Sequence, residues 1–545
     1  MKITFLGHAT LLIETDGVKI LTDPWVLGAA YCGQWHLFPK PPENALDYLK
    51  DVDYVLISHG HEDHLHYETL AHVNKNAHVF FPYTWYEGAV PFFHELGFKK
   101  ITEAVNEKRY ALSKNTDVTF LANNLDNVVV IQSGDRVLVN ASDALHSAPQ
   151  GAISYFVKKI KSKWSRADYL FSGYAGASYF PNTIKCEWKN DLETGAVREQ
   201  FFLDNFCRIA KGINATFSIP FASDFVLLDD SQRWINKVKV PRNEIGKYFN
   251  DYFSGEGCTT RLLELYPGDV IDGENISCVS PYHEKLKHRD IASLAEEEYA
   301  EEILAIRNAP KIGRDALQNI YAKVKDHVLK NAHIVPAEKR KLLKFAVQVT
   351  DSVDRSFIGI DLRGEVPSVM LVNEPDKSDP LLLKVKSRTI LYSITNEWGG
   401  DAIIIGYGCE LDIFSKEAIV QQLDNFAIQL LTNYPNTKSY IKKNPVRALN
   451  YLVHDKIKRN IMLGKITGKK MPASPFFDER LSDNELWLTR TNCEICRICR
   501  PAACACVPSI CPIWCSRAWA RNAIPASCWH SPSWTSCPTG TSPLS

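Results

Sequence analysis

The chain has no excess of either charge: Lys and Arg together number 63, and so do Asp and Glu. Such balance gives no electrostatic argument for a nucleic acid or another polyanion as partner. No apolar run approaches the roughly 20 residues that a membrane-spanning helix needs. The opening Met1-Lys2-Ile3-Thr4-Phe5-Leu6 is soon broken by His8 and Glu14, and no small-residue cleavage site follows. It reads as a first strand rather than a secretory signal. The expectation is a cytoplasmic protein with no membrane span and no nucleic-acid partner. Histidine is missing from the whole stretch between His94 and His146, which limits where imidazole ligands can come from. From Cys493 onward there is no Lys, Asp, Phe or Tyr.

What is present is ordinary for a folded chain. Hydrophobic residues make up 45% and charged residues 23% of 545 positions, enough for two to four domains of roughly 100–200 residues each. Six of the 15 cysteines are scattered, at Cys32, Cys186, Cys207, Cys258, Cys278 and Cys409. That usage fits a reducing compartment, where cysteine serves as a small buried hydrophobe. The run from Lys158 to Lys163 reads as a solvated face or loop.

Three short strands are expected at 2–6, 9–15 and 18–22, with Asp16-Gly17 as a tight hairpin between the last two. Further strands are expected at 53–58, 78–82 and 117–122, a hairpin at 127–142, helices near 66–75, 85–96 and 198–212, and a strand near 216–220. Strands and helices alternate, yet tight hairpins recur. That mixture suits two stacked sheets covered by helices better than one parallel sheet. The expected organisation is a metal-binding domain over 1–240, a connection over 241–290, an α+β domain over 291–480 and an anomalous tail over 481–545. The glycines of Trp398-Gly399-Gly400-Asp401 and of Gly406-Tyr407-Gly408 carry no phosphate-loop signature. Turns and close backbone contacts account for them.

The strand at 53–58 ends in His59-Gly60-His61-Glu62-Asp63-His64. Imidazole nitrogen and carboxylate oxygen are the ligands that zinc and its neighbours take. In an extended turn, residues two apart point the same way, so His59 and His61 can share one ion. Asp63 and His64 then face a second position on the opening helix. A divalent ion there acidifies its bound water, and Asp63 is suited both to bind the ion and to orient that water.

This motif resembles the metallo-β-lactamase superfamily. Gly7-His8-Ala9-Thr10-Leu11-Leu12-Ile13-Glu14 and Leu21-Thr22-Asp23-Pro24-Trp25 are similar to the opening of one branch of it. That branch includes ascorbate-phosphate lactonases, N-acylphosphatidylethanolamine-hydrolysing phospholipase D and the metal domain of CMP-N-acetylneuraminate hydroxylase. Ser172-Gly173-Tyr174 and Pro220-Phe221-Ala222-Ser223 resemble the hydroxylase in particular. The resemblance implies an α/β fold, an αββα sandwich over 1–240, followed here by the smaller α+β domain. It implies Asp143 as a bridging metal ligand and gives His8 a place in the pocket as a catalytic residue beside Asp63. Two histidines usual in the family are missing; Asp229 stands near the place of one, and Asn123, Asn124 and Asp126 near the other. His146 is a further candidate by family position.

The metal set expected from sequence is therefore His59, His61, Asp63, His64, Asp143 and Asp229. Zinc is the first expectation for the metal, with iron or manganese as alternatives. The expected activity is hydrolysis of a phosphorylated, ester or amide small molecule or lipid. The alternatives are a non-haem di-iron oxygenase and a non-catalytic protein on a degenerate fold. A homo-oligomer is compatible with the sequence. In the tail, Cys493-Glu494-Ile495-Cys496-Arg497-Ile498-Cys499 has the start of a ferredoxin spacing, but its fourth cysteine is misplaced. The abrupt change of composition reads better as codons translated out of frame.

Overall fold

A computed structural model describes residues 1–454 except 85–87, 124, 188, 376–378, 380, 415–425 and 436–440. The anomalous tail lies outside the described residues.

The opening strands alternate faces, and that alternation builds the core. In Lys2–Gly7 and Thr10–Thr15, Ile3, Phe5, Leu11 and Ile13 point to one side, while Leu6 and Leu12 point to the other. Both faces are apolar, so both must be covered. The sheet they join has eight strands, in the order Asn275–Ser277, Val270–Asp272, Lys2–Gly7, Thr10–Thr15, Val18–Thr22, Tyr54–Leu56, His78–Pro82 and Lys100–Ala104. A second, seven-stranded sheet runs Arg261–Leu262, Phe217–Phe221, Tyr169–Gly173, Arg136–Ser142, Asp126–Ser133, Thr116–Asn123 and Arg109–Ala111. Ile3, Phe5, Leu11 and Ile13 meet Phe120, Val129, Ile131, Phe171 and Ile219 between the sheets. Helices Tyr67–His72 and Ala89–Glu95 cover the outside of the first sheet through Leu70 and Phe93. Helices Gln150–Lys163, Asp191–Ile213 and Arg242–Tyr252 cover the second through Phe156, Phe206 and Phe249. The result is an α/β sandwich of two sheets between helical layers.

The helix expected near 198–212 starts earlier, at Asp191. Asn190 caps it, its Oδ1 accepting the backbone N–H of Leu192 at 3.1 Å and of Glu193 at 3.2 Å. Lys158, Lys161 and Lys163 form the exposed side of helix Gln150–Lys163.

Residues 241–290, expected as a connection, are built into the sandwich. They supply the edge strand Arg261–Leu262 of one sheet and the edge hairpin Val270–Asp272/Asn275–Ser277 of the other. Three- and two-residue strands carry no readable period of two, which is why their turns dominated the sequence pattern. Helices Ile291–Glu298 and Ala300–Arg307 likewise pack against Phe38, Val226 and Tyr266 of the sandwich, through Leu294, Ala295 and Ile303.

The C-terminal unit is a six-stranded sheet in the order Ile184–Lys185, Cys409–Ile413, Leu381–Val385, Lys344–Val349, Phe357–Asp361 and Ser368–Val372. Helices Arg314–Asn331 and Ser387–Thr395 pack on it through Leu317, Ile320, Val324, Ile390 and Ile394. Its first strand comes from the N-terminal half: Ile184 lies opposite Leu411, and Lys185 opposite Asp412, in parallel pairing.

Candidate metal centre

Strand ends aim the site. Tyr54–Leu56 lies between two parallel neighbours, and Ile57 N still donates to Phe80 O at 3.0 Å. The chain then leaves the sheet with His59. A tight turn follows, His64 N and Leu65 N both donating to His61 O at 3.0 and 2.8 Å, and swings His64 back under the sheet. The strand Arg136–Ser142 ends in a bulge between Asn140 and Ser142, with Ser142 at φ 43° and its N–H on Asn140 Oδ1 at 3.0 Å. The bulge redirects Asp143 toward His64. His8 follows Gly7, with φ values of 48° and 132°. Its backbone N–H is held by Asp224 Oδ2 at 2.9 Å, and its carbonyl by Ala222 N at 2.8 Å. This left-handed corner turns the imidazole inward.

Seven donors meet in one cleft as three overlapping groups: His59, His61 and Asp126; His59, His64 and Asp143; and His8, Asp63 and His64. Within each group, one ligand atom per residue lies within 4.8 Å of the others. The first group is half open and the last is fully buried. Of the metal ligands expected from sequence, His59, His61, Asp63, His64 and Asp143 are brought together, and His8 joins them. Asp229 is not: its carboxylate is an ion-pair partner of Lys386 and accepts Ser231 N at 3.0 Å and Ser231 Oγ at 2.6 Å. Facing a Lys386 ammonium and its own turn, it has no part in the three groups. Asp126 takes a place at the cleft instead, next to the hairpin end where Asn123 pairs with it. His146 stays beside Asp143, its Nδ1 on the Asp143 carbonyl at 2.5 Å and its ring stacked on Phe202 at 5.2 Å.

The donors are held by residues behind them. Asp23 accepts Ser58 N at 2.7 Å and Ser58 Oγ at 2.8 Å, and stands 3.2 Å from His64 Nδ1. It orients that ring with Nε2 facing the cleft, as an outer carboxylate does for a metal-binding histidine. Ser58 Oγ also contacts His59 Nδ1 at 2.9 Å. Asp63 is gripped on both oxygens, by Tyr31 OH at 2.5 Å and by His8 Nε2 at 2.9 Å. Tyr31 has no motif around it, and only the folded loop reveals it.

The electrostatics agree with a site built around positive charge. Burial would raise Asp63, but His64 and His8 outweigh it and hold the carboxyl well below its usual range. Burial, helped by His64 and His61, pushes His59 down to about 4. His64 Nε2 is buried with no hydrogen-bond partner, 3.3 Å from Asp63 Oδ2 and 3.5 Å from Asp143 Oδ2. A buried ring nitrogen without a hydrogen bond between two carboxylates marks a place for positive charge, which a divalent cation would supply.

The C-terminal unit roofs the cleft. Tyr407 OH donates to Gly176 O at 3.0 Å and Tyr179 N to Ile404 O at 2.7 Å. A Cβ on Gly406 would lie 2.5 Å from Tyr31 Cβ, so only glycine permits this approach. Asp401, from the same segment, accepts Tyr434 OH at 2.8 Å. Burial raises its carboxyl, against the pull of His61, and the charges of Asp63 and Asp126 add to the rise. Asp401 therefore lies within electrostatic reach of the donors. Glu62 is pushed up to about 7, by burial first and by Asp63 and Asp401 in addition.

Comparison with known proteins agrees with this geometry. Residues 2–147 match the family model described as a β-lactamase superfamily domain. A putative Rieske 2Fe-2S iron-sulfur protein of Mycobacterium tuberculosis is 28% identical over 249 residues, covering 43% of this chain and 46% of the relative. The cytidine monophosphate-N-acetylneuraminic acid hydroxylase of Danio rerio is 24% identical over 287 residues, covering 50% of this chain and 46% of the relative. The chain thus spans about half the length of the curated relatives it matches. Among solved structures, Igni18, a metallo hydrolase from Ignicoccus hospitalis, is 14% identical, with a TM-score of 0.33 over 50% of this chain and 97% of its own. The doubled sheet and the histidine motif at a strand end agree with the matched family model: residues 2–147 are similar to the β-lactamase superfamily domain, and about half of the chain resembles CMP-N-acetylneuraminic acid hydroxylases.

Proposed function

We propose that this chain is a metal-dependent hydrolase of a phosphorylated, ester or amide small molecule or lipid. The observation that carries the reading is the convergence of four imidazoles and three carboxylates, with His64 Nε2 left without a partner among them. His59, His61 and Asp126 would hold one divalent ion, and Asp63 and His64 the next, with Asp143 between them and His8 behind Asp63. Two imidazoles and a carboxylate are also the donor set of catalytic zinc in several hydrolases. A divalent ion bound there supplies an acidified water and a Lewis acid for the developing oxyanion. Asp63, fixed by Tyr31 and His8, would accept the proton of the attacking water. His8, sharing a hydrogen bond with Asp63, would hold that proton's charge next to the leaving group. The half-open side at His61 and Asp126 is where substrate enters, and the 387–407 segment would exclude water from above.

A second reading is favoured by one feature. Two histidines and one carboxylate, as in His59, His61 and Asp126, are also the set that non-haem iron oxygenases use. The relatives, a putative Rieske 2Fe-2S protein and a hydroxylase, point the same way. The paired Cys-x-His elements of a Rieske centre do not occur within these 545 residues, so this reading needs an electron source outside them. Elemental analysis of protein purified without chelators, followed by assays with the bound metal intact, separates the readings. Zinc or manganese with turnover of phosphate or carboxyl esters supports hydrolysis. Iron at about two per chain with oxygen consumption supports oxygenation. A metal-free, inactive protein overturns both and leaves a degenerate scaffold.

A further inference from the structure

The segment expected to be a mere connection holds a second set of metal-type side chains. One ligand atom from each of Asp269, Cys278 and His283 lies within 4.8 Å of the others. Asp269 is fully buried, and its Oδ2 sits 2.6 Å from His283 Nε2. An ionised carboxylate only accepts hydrogen bonds, so this contact places a ring proton on Nε2, and Nδ1 is the nitrogen that could meet an ion. Nδ1 faces Glu264 Oε1 at 4.0 Å. Asp269 is itself immobilised, with Tyr266 N on Oδ2 at 2.8 Å and Ser280 N on Oδ1 at 2.9 Å. The charges of Asp269 and Glu264 both bear on the Cys278 thiol.

We propose that Cys278, His283 and Glu264 form a second metal site for a zinc-class divalent ion, with Asp269 holding the imidazole in its binding tautomer. The set shares no residue with the cleft. One sulfur, one imidazole nitrogen and one carboxylate oxygen suit a borderline ion, and water completes the shell on the exposed side. The carboxylate behind the histidine is the arrangement that orients metal-binding imidazoles generally. The site has a mechanical sense. Cys278 directly follows the edge hairpin strand Asn275–Ser277, and His283 lies in the first turn of helix Tyr282–His288. An ion bound by both pins the edge of the eight-stranded sheet to the helices that follow.

Cobalt(II) reconstitution of the full-length chain tests this. No cysteine is among the donors of the cleft, so a thiolate-to-cobalt charge-transfer band cannot come from there, and any contribution from the tail cysteines is common to all variants. Cys278→Ser and His283→Ala should each lose about one cobalt per chain, with a matching fall in the charge-transfer band for the serine variant. Cys258→Ser should keep both, and Glu264→Gln should weaken the cobalt affinity without unfolding the protein. Cys278 is exposed, so its serine variant should retain the wild-type circular dichroism. An unchanged cobalt ratio and band in Cys278→Ser would overturn the proposal. So would loss of the same band in His61→Ala, which would place the thiolate signal at the cleft.

Discussion

The two ends of the metal cleft differ in what surrounds the same chemistry. His8, Asp63 and His64 are wholly buried, each tied by Asp224, Tyr31 or Asp23. His61 and Asp126 are partly open beside the buried His59, whose Nε2 lies 2.8 Å from His61 Nδ1. Donors at the closed end are thus part of the core, and their loss should be felt by the fold. Donors at the open end should be replaceable without structural cost, and their loss felt by metal and substrate alone. The cleft is a rigid half and an accessible half, set side by side by two strand ends.

The strongest way to break this contrast is to remove one imidazole from each end. His64→Ala should abolish metal binding at its position and also lower stability by about 2–4 kcal/mol, since two carboxylates lose the group between them. His61→Ala should lower metal content as much but shift the chelator-treated protein's denaturation midpoint hardly at all. Equal destabilisation in urea unfolding would erase the distinction. Asp126→Asn keeps the shape and removes a charge; metal affinity at the open end should fall roughly 10–100-fold, measured by competition with a chromophoric chelator. No change there would return Asp126 to a surface role.

A pH test probes the burial of the three-stranded sheet Phe225–Leu227, Trp35–Leu37 and Ala29–Ala30, whose Trp35 and Phe225 rings lie against His8. Burial pushes His36 down to about 4. The unfolded histidine protonates near its ordinary 6.5, so the unfolded state binds the extra proton first. Stability is fully present above about pH 6.5, declines as pH falls toward 4, and levels off below. The expected loss is on the order of 2 kcal/mol. Comparing urea midpoints of wild type and His36→Gln at pH 7 and pH 4.5 should show a smaller drop in the variant. Tyr31→Phe removes one hydrogen bond to Asp63 and should cost about 1 kcal/mol of stability, with turnover reduced more than substrate affinity. The smallest effect is expected from Asp229→Ala, whose partners are Lys386 and Ser231. Metal content should match wild type, and a lowered metal ratio would restore Asp229 to the ligand set.

Much of the cleft was legible because its ligands are packed into six consecutive residues after an apolar strand, a pattern that local geometry alone interprets. The sandwich was legible for the same reason: Ile3, Phe5, Leu11 and Ile13 repeat with a period of two. What escaped depended on contacts distant in sequence. Asp126 was a candidate only through family position, together with Asn123 and Asn124; the fold singles it out by placing its carboxylate with His59 and His61. Asp229 was assigned from its place in a family order, but a loop turned its carboxylate toward Lys386. Tyr31 meets Asp63 only through the folded loop that carries it, and Asp401 matters only once the C-terminal unit lies over the cleft. The edge strands of 261–277 were too short to display any period.

The strand Ile184–Lys185 is a loan from one half of the protein to the other. It caps the sheet edge formed by Cys409–Ile413, so the C-terminal unit is not separable as a piece of sequence. Expressed from residue 291 onward, it would bare that edge, with its unpaired amide and carbonyl groups open to a neighbouring chain. During synthesis the same strand must wait, unpartnered, until the ribosome has made the far side of its sheet. The two halves therefore mature together, and a gene fusion or truncation that respects the apparent boundary would still cut a sheet in two.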